Sequence, residues 1–213
     1  MKMNPFFTGM LLVLAGLTIL SCIPANAQNF DNARFFFRSD YACPTDPAIF
    51  NDYWGWGWGG GAGISVPVGQ WFEGQVAIDY TRFAFDKDRL DLFFQLPSSG
   101  SSVSGATATS IAVTVQLKYP QKPHGFLPFY ILAGVGYENA SVSEGAVTYT
   151  DLQYTEPSRS SSGIIVVPGA GIEYALGQKL SLFCEMRYLN ALSADTQFYS
   201  NQLPLSLGFR SSF

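Results

Sequence analysis

Chemistry in this sequence would have to come from few groups. Only 13% of the chain is charged, and its one histidine, His124, sits in the run "QKPHG", which reads as a solvated polar turn. Nucleophilic or acid–base catalysis needs a base within reach of its partner, and His124 has no such setting. No metal site is expected, because the cysteines lie far apart and no EF-hand spacing occurs. "GWGWGG" (Gly55 to Gly60) formally satisfies G-x-G-x-x-G, yet no helical pattern follows it, so no nucleotide cofactor is expected. What remains is ionic chemistry. Arg34, Arg38, Asp40, Glu73, Asp79, Lys118, Glu138, Glu173, Glu185, Arg187 and Arg210 recur on one parity of period-two segments. Charges of both signs on one parity would form a network wherever that face closes on itself.

The elements that must position them are strands. Successive side chains of a strand point to opposite faces, and period-two segments bounded by turn formers recur along the chain. They are expected near Ala33–Tyr41, Trp54–Pro67, Trp71–Phe85, Ala106–Tyr119, Phe126–Glu138, Gly163–Leu176, Lys179–Leu189 and Gln202–Phe213. The connections alternate in length. "VGQ", "PQKPHG" and "GQ" are short, whereas Ala42–Tyr53, Asp86–Gly105, Asn139–Ser162 and Asn190–Asn201 are long. The Ser-rich pieces "PSSGSSVSG" and "SRSSSG" fall in long loops and are expected to be mobile there. This sorting predicts an all-β, eight-stranded antiparallel up-and-down transmembrane β-barrel with short periplasmic turns and long extracellular loops.

The parity opposite the charges carries Val76, Ile78, Ile111, Val113, Val115, Leu117, Ile131, Val135, Ile172, Leu182, Met186, Leu205 and Leu207, an apolar band suited to lipid. Aromatics stand at its edges. Phe72, Tyr119, Phe129, Tyr174 and Phe213 mark the short-turn end, and Trp54, Trp56, Tyr80, Tyr137 and Tyr188 the long-loop end, as interfacial girdles do. In "WGWGWGGGAG" the tryptophans are expected to face lipid while Gly55, Gly57, Gly59, Gly61 and Gly63 make room inside. Two positions resist this pattern. Pro168 lacks a ladder donor inside a strand, so a bulge or break is expected there. Arg82 shares the lipid-facing parity and must lie above the outer girdle or snorkel to it.

Residues 1–27 read as a cleaved signal peptide, with Lys2, the apolar run Met10 to Leu20 and "ANA" at Ala25 to Ala27. A membrane anchor and a lipoprotein cut before Cys22 are the alternatives. Residues 28–213 then form one domain. Loss of Lys2 takes the net charge from −4 to −5, which argues against nucleic acid as a partner. Cys43 and Cys184 could pair in an oxidising compartment, though nothing in the sequence requires it.

"PFYILAGVGYE" (Pro128 to Glu138), "GAGIEYAL" (Gly169 to Leu176) and "LSLFCEMRYLN" (Leu180 to Asn190) resemble the OmpA/OmpX-type outer-membrane β-barrel family. "FFFRSDY" and "GGGAGISVPVGQWFEGQVAIDY" resemble its alphaproteobacterial surface-antigen members. The resemblance implies the outer membrane of a Gram-negative bacterium. It also implies contact with outer-membrane lipids and lipopolysaccharide, and capture by the barrel-assembly machinery through Leu205, Leu207, Phe209 and Phe213. No periplasmic peptidoglycan-binding domain is expected after the last strand. The expected function is a structural or surface-interaction, adhesin-like role, with charged side chains plugging the interior and a possible extracellular ligand on the loops. A small gated, weakly cation-selective pore is the alternative, and a lipid-modifying enzyme a further one.

Overall fold

The computed structural model describes residues 33–46, 54–86, 101–104, 107–120, 128–149, 152–192 and 201–212. His124, Phe213 and the segment read as a signal peptide lie outside them. Eight segments build a closed barrel: β1 (Arg34–Asp46), β2 (Trp54–Val68), β3 (Phe72–Phe85), β5 (Thr107–Pro120), β6 (Phe129–Val142), β9 (Arg159–Ala175), β10 (Leu180–Arg187) continued by β11 (Asn190–Ala191), and β12 (Asn201–Ser212). Each pairs antiparallel with its neighbours, and β12 returns to β1. Closure is what a bilayer demands, since hydrocarbon cannot satisfy an open sheet edge.

The register fixes the shape. Partners run from Arg34 through Ser65, Gln75, Gln116, Gly134 and Val167, then from Leu189 through Gln202 back to β1 at Pro44. The walk therefore rejoins β1 ten residues beyond its start. A stagger of that size over eight strands tilts them by roughly 40° from the barrel axis.

Alternation holds along nearly every strand. Ile78, Ile111, Leu117, Ile131, Val135, Ile172, Leu182, Met186, Leu205 and Leu207 are exposed on the outside, and the interleaved Asp79, Ala112, Leu132, Glu185 and Ser206 are buried inside. From Phe72 to Tyr80 the outward band spans roughly 20 Å along the axis at this tilt, close to the apolar height of outer-membrane barrels. Phe72 and Tyr119 meet at 5.5 Å at the short-turn end, and Tyr41 stacks on Trp56 at 4.8 Å at the other. Phe129, Tyr174 and Tyr80 are exposed, whereas Tyr137 and Tyr188 are half-buried at outward positions.

Three expectations are corrected. Trp54 does not face lipid. The β2–β3 register slips between Trp54 and Gly57, and this bulge turns Trp54 inward, where it is 7% exposed and meets the Phe85 ring edge-on at 5.5 Å. Gly55, on the far side of the slip, leaves the inward series, while Trp56 and Trp58 stay exposed. A bulge places two residues against one and flips the alternation beyond it. Secondly, Pro168 leaves β9 unbroken. Its missing N–H faces β10, so the Tyr188 N–H donates to the Pro168 carbonyl at 2.9 Å with no bond in return. The ladder gap therefore falls in the partner, between β10 and β11, without a change of register. Thirdly, Ser101–Ser104 and Arg159–Gly163 of the Ser-rich pieces lie in strands. "SRSSSG" extends β9 opposite Asn139–Val142 of β6. Ser101–Ser104 forms β4, in a separate three-stranded sheet with β7 (Gly145–Tyr149) and β8 (Leu152–Glu156). Cys43 and Cys184 both lie at outward positions and are free thiols.

The charged barrel interior as candidate functional site

Inward residues of β1 give a ruler from the short-turn end upward: Arg34, Phe36, Arg38, Asp40, Ala42. At the lowest tier stand Arg34, Glu73, Lys118, Glu173 and Arg210. Arg210 lies 3.4 Å from Glu73 and 2.6 Å from Glu173, Lys118 lies 3.5 Å from Glu73 and bonds Glu173, and Arg34 reaches Glu173 at 3.8 Å. Lys118 and Arg210 are fully buried, while Arg34 is half-exposed at the mouth. Below this tier the barrel opens into a cavity of about 470 Å³, lined by Trp71, Phe72, Phe129 and Lys179 among others.

Aromatic rings cover the first tier. Phe36 and Phe183 meet edge-on at 6.3 Å, and the Arg210 guanidinium lies 5.6 and 5.4 Å from their centroids. The Lys118 ammonium sits 4.1 Å over the Tyr130 ring. These quadrupole contacts stabilise buried cations where water is excluded. Gaps in the neighbouring strands receive the rings. A Cβ on Gly63 would collide with Phe36, one on Gly208 with Phe183 and one on Gly171 with Tyr130; one on Gly57 would come within 2.6 Å of Phe83. The inward glycines are sockets, which is why the sequence alternates its largest side chains with none.

The central tier is a second network. Arg38 donates to both oxygens of Asp79, at 2.6 and 2.7 Å, and reaches Glu185 at 3.3 Å. Arg187 donates to Asp79 and to Asp40 at 3.1 Å each, and its Nε lies 3.1 Å from Glu185 as an ion pair rather than an aligned hydrogen bond. The Tyr130 hydroxyl donates to Glu185 at 2.9 Å and ties this tier to the ring layer. Two guanidiniums thus serve three carboxylates. Desolvation on this scale is tolerable only because each charge is paired and hydrogen-bonded.

Glu138 is a correction. It does not join Arg38 and Arg187; it lies higher, where it accepts from Ser110 and, at 2.7 Å, from Gln202. Its other oxygen has no hydrogen-bond partner among the described residues. Apolar Ala112, Ile165, Val167 and Leu189 lie around this level, and above them Ala42, Trp54, Phe83 and Ala108 fill the interior.

The remaining charges form two groups, Arg34, Glu73, Lys118, Glu173 and Arg210 below and Arg38, Asp40, Asp79, Glu185 and Arg187 at the centre. Tyr130, Phe36, Phe183, Ser110 and Gln202 were not singled out in the sequence. Their signal is available nonetheless: an aromatic on the polar parity, between charged or small residues, must pack inside.

A closed, register-locked barrel with an outward apolar band, two girdles and an ionic interior narrows the choice of family, and the sequence matches the outer membrane protein beta-barrel domain over residues 23–210. The chain belongs to that family. Among solved structures, the crystal structure of Neisserial surface protein A is similar at 15% identity, with a TM-score of 0.56, covering 85% of this chain and 97% of that one. The N-terminal β-barrel domain of Pseudomonas aeruginosa OprF matches at 14% identity and a TM-score of 0.45, over 84% of this chain and 97% of that one. Ail, the attachment invasion locus protein of Yersinia pestis, matches at 13% identity and 0.43, over 84% and 96%. Comparison with curated proteins finds no match. The family match agrees with the outer-membrane β-barrel that the sequence motifs imply.

Proposed function

We propose that this chain is a non-catalytic outer-membrane scaffold of a Gram-negative cell, plugged by its ionic tiers, that holds an extracellular sheet for surface interaction or envelope structure. The observation that carries this reading is the pairing of β4 with β7, which in turn pairs with β8. β4 comes from the connection between β3 and β5, and β7 and β8 from that between β6 and β9, so two separate loops join in one sheet outside the barrel. Recognition usually resides on loops held by a rigid scaffold. Outer-membrane lipids and lipopolysaccharide surround the apolar band. Leu205, Leu207 and Phe209, exposed on the last strand, together with Phe213, present the assembly signal during biogenesis.

Deleting Thr148–Ser158 leaves residues 143–147 to join Val142 to Arg159, which already pair at the top of the β6–β9 hairpin. The shortened chain should keep heat-modifiable migration in detergent gels, and cells displaying it should adhere less to glass and to cultured-cell monolayers. Unchanged adherence would count against the surface role.

The cation-selective pore has one observation in its favour. The central tier carries one more carboxylate than guanidinium, and Asp40 Oδ1, Glu138 Oε2 and Gln202 Oε1 are buried without hydrogen-bond partners, so cations would be preferred if the pairs opened. Planar-bilayer recording separates the two readings. The plugged barrel gives no discrete steps, and steps with cation selectivity would establish the pore.

A further inference from the structure

Among the described residues, Arg82 is the one basic residue at an outward position of the barrel strands. It is exposed, and among the described residues no ion pair or hydrogen bond holds it. It lies two residues beyond Tyr80 on β3, toward the long loops, which puts its backbone about 5 Å beyond the girdle at the observed tilt. Trp58 is its direct partner on β2 and Thr109 its partner on β5. Trp58 and Tyr80 are exposed aromatics. On the Thr109 side, the Thr109 and Ser141 hydroxyls lie 2.8 Å apart, and the Tyr137 hydroxyl donates to Ser162 at 2.7 Å. A guanidinium thus stands between an aromatic wall and a patch of hydroxyls at the edge of the apolar band.

We propose that Arg82 is the binding site for the phosphate of an outer-leaflet lipid headgroup, with Trp58 and Tyr80 flanking the headgroup and the Thr109–Ser141 pair donating to it. A lone cation facing hydrocarbon is expensive and is retained where it can reach the interface and a counter-ion. The guanidinium fork suits phosphate, which it can hold by two parallel charge-assisted bonds. The inference rests on the membrane placement proposed above.

The test uses the full folded barrel and three probes: bisphosphorylated lipid A, fully dephosphorylated lipid A and phosphatidylglycerol, with retention measured by native mass spectrometry. Wild type should hold bisphosphorylated lipid A about tenfold more tightly than the dephosphorylated form. Arg82→Gln should bring that ratio to about one, and Arg82→Lys should keep most of it as a point charge without the fork. Retention of phosphatidylglycerol at a similar level would assign the phosphate to phospholipid as well, and its rejection would assign it to lipid A. Equal retention of phosphorylated and dephosphorylated lipid A by wild type overturns the site, as does an unchanged ratio in Arg82→Gln. Should Arg82→Gln lose heat-modifiable migration, the wild-type ratio and the lysine variant still decide. A wild-type chain that folds in no amphiphile at all would indict the membrane placement instead.

Discussion

Arg187→Gln is expected to destabilise the barrel by about 3–5 kcal/mol, the cost of removing one partner from a buried ionic cluster. Arg187 lies within 3.1 Å of Asp40, Asp79 and Glu185, and all four side chains are essentially inaccessible to solvent. Without it, Arg38 alone faces three carboxylates. Arg38 already gives its Nε–Nη2 edge to Asp79 and its Nη1 to Glu185, and lies 4.0 Å from Asp40, so Asp40 loses its nearest cation and Glu185 one of its two. The denaturation midpoint of the barrel refolded in vesicles, with the slope held in common, measures this loss. Arg187→Lys keeps the charge and loses the fork, and should fall between the two. A midpoint within 1 kcal/mol of wild type for Arg187→Gln would mean that water or ions reach the central tier freely.

Gly63→Val should cost about 3 kcal/mol, the upper part of the range for overfilling a packed interior. Its Cβ would fall on the Phe36 ring and on the carbonyl of Val76 in the adjacent strand. The ring can move only at the expense of Phe183 and of the guanidiniums of Arg38 and Arg210, which lie against it. The carbonyl cannot move without bending the ladder. Phe36→Ala should recover part of the loss in the Gly63→Val background while being destabilising alone, because it empties the socket that the valine then fills. Equal, additive losses would show that Gly63 and Phe36 do not share a space.

Much of this was legible in the chain because a strand writes its two environments at alternate positions. Ile78 beside Asp79, or Leu205 beside Ser206, assigns inside and outside without reference to any neighbour. The lower ionic tier followed for the same reason, since Glu73, Lys118 and Arg210 stand near strand ends marked by short turns. The failures share a cause too: each depended on which residue lies across from which. Trp54 sits in a run of unbroken alternation, and only its pairing with Phe85, one step out of phase with Gly57 and Phe83, turns it inward. Glu138 was assigned by parity to the same face as Arg187, but the ten-residue stagger lifts it to the level of Ser110 and Gln202. Pro168 announced a missing donor without saying which neighbouring strand faced it. The Ser-rich runs read as loops by composition, whereas extension of the β6–β9 ladder partners Arg159–Ser162 and β7 partners Ser101–Ser104.

The most direct test of the account is a single-cysteine scan over residues 74–82 of β3, in a background with Cys43 and Cys184 replaced, each site carrying an environment-sensitive fluorophore in vesicles that contain bromine-labelled acyl chains. Quenching should alternate, strong at Val76, Ile78 and Tyr80 and weak at Gln75, Ala77 and Asp79, and fade by Arg82 as the strand leaves the hydrocarbon. Quenching that is uniform along the strand, or absent from both sets, would contradict a closed barrel spanning the bilayer.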